Sequence, residues 1–95
     1  MPKLKLYLVC YDIEDDRTRT RLSKRLLDFG FRVQNSVFEC WVDDRRYSKL
    51  LSILNCVEFK DNDKINIYPM LDVAAEAIVY LNQVITDRNE AIIVF

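Results

Sequence analysis

Apolar residues fill Leu4–Ile13 except at Lys5 and Asp12, a run too short and too rich in aromatic and β-branched side chains for a helix. The run predicts a strand with Leu6, Leu8 and Cys10 on one face and Tyr7, Val9, Tyr11 and Ile13 on the other. Two apolar faces predict a central strand covered on both sides. The period then changes. From a cap at Asp15 or Asp16, the stripe Leu22, Leu26 and Phe29 predicts a helix running to Phe29, with Gly30 as its left-handed terminator. Residues 31–42 return to extended alternation, and the phase slips near Asn35–Ser36, predicting a turn or bulge there. Asp43 or Asp44 caps a second helix carrying Tyr47, Leu50, Leu51, Leu54 and Val57 at helical spacing. The turn at 61–63 precedes a strand over Lys64–Met70. Ile78–Leu81 and Ala91–Phe95 read as short strands around a polar stretch.

Strand, helix, one or two strands, helix, strand predicts one α+β domain over residues 1–95, a ferredoxin-like sandwich with two helices on one face of an antiparallel sheet. Two helices cover only one face. The apolar groups left on the other predict a sheet-to-sheet homodimer.

Fourteen basic and fifteen acidic residues leave a net charge of −1, which by itself does not point to nucleic acid. The distribution says more. Residues 12–16 carry four acids, and the next nine carry five bases, of which four are arginines. There is no histidine, so histidine-based nucleophile activation is excluded and hydrolysis would rest on carboxylates and a metal. Cys10, Cys40 and Cys56 are far apart and lie in apolar runs, which predicts buried reduced thiols. The opening residues lack the pattern of a signal peptide, and no apolar stretch reaches membrane-spanning length. A cytoplasmic protein is expected.

Asp12 ends the first strand ahead of the acidic loop and basic helix. It is either a magnesium ligand, since hard oxygens suit that ion, or a local cap. Glu39 and Asp43 are candidates to approach it. Arg17, Arg19, Arg21, Lys24, Arg25 and Arg32 are either phosphate contacts or a solvated surface.

Residues 11–42 (YDIEDDRTRTRLSKRLLDFGFRVQNSVFECWV) closely resemble the signature of the small CRISPR-associated protein two family. Tyr11-Asp12-Ile13, Arg19, Gly30, Arg32-Val33-Gln34 and Ser36-Val37-Phe38-Glu39 stand in matching places, and 66–70 and 91–95 look like later strands of that family. The resemblance implies a ferredoxin-like homodimer whose C-terminal strand, about 91–95, packs on the partner subunit. It implies a CRISPR spacer-acquisition protein that works with an integrase subunit. It further implies a metal-dependent endonuclease acting on RNA or DNA, with Asp12 from each chain binding Mg²⁺. Tyr11, Arg19, Arg32, Ser36 and Phe38 then belong to the site or its nucleic-acid contacts, with Arg17 and Arg21 beside them. Thr18 and Thr20 depart from the basic residues common in the family there. The competing reading is a non-catalytic DNA-binding adaptor of the integrase complex. A regulatory small-ligand module fits less well, because it leaves the arginine-rich helix without a role.

Overall fold

The structure, a computed structural model, describes residues 3–82, 84–85 and 93–94. The elements are β1 (Lys5–Asp12), α1 (Asp16–Leu26), β2 (Gly30–Gln34), β3 (Val37–Val42), α2 (Asp44–Leu54), β4 (Lys64–Met70), α3 (Asp72–Glu76), β5 (Val84–Ile85) and β6 (Ile93–Val94). The main sheet is antiparallel, with order β2-β3-β1-β4, and β5 pairs with β6 in a small second ladder. This is the expected α+β, ferredoxin-like arrangement. The first strand takes the centre its two apolar faces predict. Pro69 lies in β4, an edge strand, where a missing N–H costs least.

Directly paired residues share a sheet face, so the register assigns both faces. Tyr7, Val9, Tyr11 and Ile13 join Phe38, Cys40 and Val42 beneath the helices, packed with Leu22, Leu26, Phe29, Leu50 and Leu54. Val9, Leu26, Phe38 and Leu50 are fully buried, and burial of each such side chain contributes about 1.5–3 kcal/mol. In α2, Ile53 packs on this core and the expected Leu51 does not.

The starts of α1 and α2 are capped by acids. Asp15 accepts from the Thr18 amide at 2.9 Å, and Asp43 accepts from the Arg46 amide at 2.8 Å. The first helix stops at Leu26, three residues earlier than predicted. Its exit is a turn in which the Phe29 amide donates to the Leu26 carbonyl at 2.9 Å, which sends the Phe29 ring into the core.

Gly30 corrects its predicted role. It has no positive φ and opens β2 opposite Cys40. A β-carbon there would stand 1.9 Å from the Glu39 carbonyl oxygen, so close approach of two strands, rather than helix termination, requires glycine. The predicted slip near Asn35 is present. The β2–β3 ladder shifts register between Arg32 and Gln34, just before the turn.

The second sheet face departs from expectation. Ile78–Leu81 forms no strand, and α3, which no periodicity announced, precedes it. Instead of pairing, this segment reaches the face opposite the helices. The Tyr80 ring is buried and its hydroxyl donates to Oε2 of Glu39, while Val79 and Leu81 stay exposed. Leu6, Glu39 and Ala75 are thereby buried within one chain. Leu8, Cys10, Val37, Trp41 and Met70 remain half-buried on that face, and Tyr68 is 49% exposed. Within the predicted C-terminal strand, Ile93 and Val94 form β6; residues 91, 92 and 95 lie outside the described residues.

Cys40 is buried, and burial, reinforced by the neighbouring Glu39 charge, pushes its thiol up to about 12. Burial raises Cys10 too. Both stay protonated at neutral pH, Cys40 in the core and Cys10 half-buried on the second face. Cys56 is exposed, contrary to the expectation of three buried thiols, because it lies in the turn just beyond α2. Among the described residues no helix is long and apolar enough to cross a membrane.

Candidate nucleic-acid and metal site

The end of β1 is tied to the β2–β3 turn. The Tyr11 amide donates to the Ser36 carbonyl at 3.0 Å, and its hydroxyl donates to the Asn35 carbonyl at 3.3 Å. These bonds turn the next residue, Asp12, out to solvent at the mouth of a polar cleft of about 460 Å³. Tyr11, Asp12, Arg19, Arg32 and Ser36 all line it. Five of the eight candidate side chains, drawn from three separate stretches of sequence, therefore converge.

The other three are placed elsewhere. Phe38 is fully buried beneath the cleft. Its ring stacks near Tyr11, with centroids 6.3 Å apart, and supports the Arg32 guanidinium 5.5 Å from its centroid. A buried ring does not touch a nucleic acid, so Phe38 serves the cleft by holding Arg32. Arg17 and Arg21 are exposed on the outer surface of α1 beside Lys24 and do not line the cleft.

Arg19 is only partly available to a phosphate. Its guanidinium donates to the Ile13 carbonyl at 2.8 Å and the Glu14 carbonyl at 3.3 Å, and it pairs with Asp16. These bonds hold the loop that follows Asp12. Glu39 and Asp43 do not approach Asp12. Glu39 pairs with Leu8, four residues or about 13 Å back along β1, and Asp43 caps α2. Sequence reading missed Lys64, which pairs directly with Asp12 across β1–β4, although its place at the head of a strand after an acidic turn was visible.

Among the described residues no three acidic or thiol groups gather into a metal cluster. Asp12 also has no ion pair or side-chain hydrogen bond among them, so its carboxylate is free to bind. One exposed carboxylate suits a Mg²⁺ ion that keeps most of its waters and takes phosphate oxygens; it does not make a dedicated cage.

Two nearby carboxyls are held below the usual range: Asp15 chiefly by the Thr18 amide, and Asp63 by the amides of Glu14 and then Lys60. Depressed folded-state values stabilise the protein above the unfolded value of 3.8, and that contribution is lost as pH falls through the lower folded values. Thermal melts should therefore show a falling midpoint below about pH 4, and the double change Asp15→Asn, Asp63→Asn should flatten that acid limb. An acid limb unchanged by the double substitution would remove these two groups from the account.

Comparison with known proteins is decisive for descent. The family profile described as CRISPR associated protein Cas2 matches residues 5–78. The chain belongs to the Cas2 family. It is 37% identical over 65 residues to a protein of Synechocystis sp. PCC 6803 named CRISPR-associated endoribonuclease Cas2 3, covering 68% of this chain and 71% of that one. The crystal structure of Streptococcus pyogenes Cas2 at pH 6.5 superposes with a TM-score of 0.70 at 27% identity, covering 80% of this chain and 98% of that one. A chain of a partial Cas6-RT-Cas1–Cas2 complex superposes at 0.57 with 30% identity, covering 79% and 88%. The Cas2 match covers every residue that lines the cleft, from Tyr11 to Ser36.

Proposed function

We propose that this Cas2-family chain is a dimeric, Mg²⁺-dependent phosphodiesterase that acts on RNA or DNA in CRISPR spacer acquisition, with an integrase partner, in the cytoplasm. The observation that carries this reading is one unpaired carboxylate, Asp12, sharing a polar cleft with an arginine fixed on an aromatic ring. Arg32 offers a phosphate a fork of donors, and its seat on Phe38 removes much of the ordering cost of binding. The Ser36 hydroxyl adds a neutral donor on the same wall. Tyr11 braces the turn that carries Ser36 and orients Asp12 through the backbone. Asp12 is the residue that holds the metal. When bound, Mg²⁺ would lower the pKa of a water and offset charge developing on the phosphate.

Association of two chains is supported by the second sheet face, where Leu8, Val37, Trp41 and Tyr68 keep apolar surface in reach of solvent. The tail around 91–95 is proposed to pack on that partner, and a second Asp12 would raise the carboxylate count to two. The relative named an endoribonuclease supports the chemistry, and the Cas1–Cas2 assembly supports the integrase partner.

A second reading is a non-catalytic adaptor. Arg17, Arg21 and Lys24 favour it, because they offer exposed positive charge with no chemistry nearby.

The test combines assembly, salt and metal. Light scattering is expected to give about twice the 11.3 kDa chain mass. Duplex affinity is expected to fall steeply with salt, and removal of Arg17 and Arg21 should flatten the log–log slope by about one unit each. Cleavage of labelled RNA or DNA is expected with Mg²⁺ and not with EDTA. Duplex binding without any metal-dependent cleavage would leave the adaptor; a monomer that ignores salt would sink both readings.

A further inference from the structure

Asp12 is the last residue of β1, and the chain beyond it leaves the ladder. Two side chains hold that departing segment, one from the next turn of chain and one from 49 residues away. From α1, Arg19 grips the carbonyls of Ile13 and Glu14. From the turn before β4, Asp63 takes the amide side: its Oδ1 accepts from the Glu14 N–H at 3.0 Å and its Oδ2 from the Lys60 N–H at 3.0 Å. Both oxygens of one carboxylate are thus used to join two loops. The placement follows from register, since Lys64 lies directly across from Asp12 and carries its neighbour Asp63 alongside the exit of β1.

We propose that Asp63 is a positioning residue for Asp12, holding the Ile13–Asp15 segment so that the Asp12 carboxylate stays presented at the cleft for a divalent cation. This rests on Asp12 being the metal ligand. Asp63 touches neither the cleft nor its ligand; it acts by removing conformations of the exit loop that would turn Asp12 away, which is how supporting groups raise metal affinity. A carboxylate is needed here. Asparagine has one acceptor oxygen and would set an NH₂ group against one of the two N–H donors.

The experiment uses the full chain and Mn²⁺ as probe, with free Mn²⁺ counted by electron paramagnetic resonance. Asp63→Asn and the deeper cut Asp63→Ala are compared with wild type, Asp12→Asn and Lys60→Ala. The last removes the 3.5 Å ion pair between Lys60 and Asp15 but keeps the backbone donor. Amide hydrogen exchange at Glu14 reports the clamp itself. Both Asp63 variants should weaken Mn²⁺ binding about tenfold, speed exchange at Glu14, and leave metal-free nucleic-acid affinity unchanged. Lys60→Ala should match wild type. Wild-type Mn²⁺ affinity in both Asp63 variants overturns the proposal, whether or not Glu14 exchange has changed. If Asp12→Asn binds Mn²⁺ like wild type, the metal reading fails at its root and the positioning role fails with it. Loss in Asp12→Asn without loss in the Asp63 variants refutes the positioning role alone.

Discussion

Asp12→Asn is expected to lower the proposed Mg²⁺-dependent cleavage by roughly a hundredfold or more while leaving the melting midpoint, the mass in solution and any nucleic-acid affinity nearly unchanged. The amide keeps the shape of the side chain but gives up the charge that holds a hard divalent cation. Little else depends on that charge. Asp12 is exposed, it has no side-chain partner among the described residues, and surface changes of this kind stay within about 0.5 kcal/mol. Removing a negative charge from the cleft that Arg32 also lines should slightly tighten phosphate binding. The informative comparison sets cleavage against spacer integration with the partner. If asparagine abolishes cleavage and spares integration, the metal chemistry is separate from the scaffolding role. If neither form cleaves and both integrate, the chain is an adaptor. Robust cleavage by the variant, in a preparation free of contaminating nuclease, refutes Asp12 as the catalytic ligand.

Gly30→Ala is expected to be the most damaging single methyl in the sheet. The new carbon would lie 1.9 Å from the Glu39 carbonyl oxygen and 2.7 Å from the Cys40 α-carbon, and both are backbone. No flexible side chain can yield, so β2 must lift from β3 or the ladder must break. Overpacking of this kind costs about 3 kcal/mol, near the upper end of its usual range. For a domain of this size that lowers the melting midpoint by roughly 12–24 °C. The helix-terminator role predicts a cost of only about 1–2 kcal/mol, that of a left-handed L-residue, so a thermal melt followed by circular dichroism separates the two. A midpoint within a few degrees of wild type would show that the strands are not held at this separation.

Much of the local order needed only neighbouring residues. The double-faced run 4–13, the acids that cap both helices, the phase slip at Asn35 and the strand Lys64–Met70 each follow from side-chain period or turn chemistry within about ten positions. Ile78–Leu81 misled because its apolar residues read as a strand, yet Tyr80 is buried by crossing the sheet and bonding to Glu39, a contact 41 residues away. Gly30 misled for the same reason: its neighbour in space is 9 or 10 residues on, across a hairpin.

The sequence by itself determined the element order, the central place of the first strand, and the chemical cast of the site: one carboxylate at a strand end, arginines on the following helix and strand, and no histidine. Its likeness to a known family pointed to the same residues before any coordinate did. Only the tertiary structure decided which of them meet. Register brought Tyr11, Asp12, Arg32 and Ser36 to one cleft and buried Phe38 beneath Arg32, while the course of α1 set Arg19 onto loop carbonyls and left Arg17 and Arg21 on an outer surface. The physical reason is one of range. Period and capping are set by neighbours along the chain, whereas a site at a strand end is assembled by hydrogen-bond register and packing between segments tens of residues apart, which no local pattern encodes.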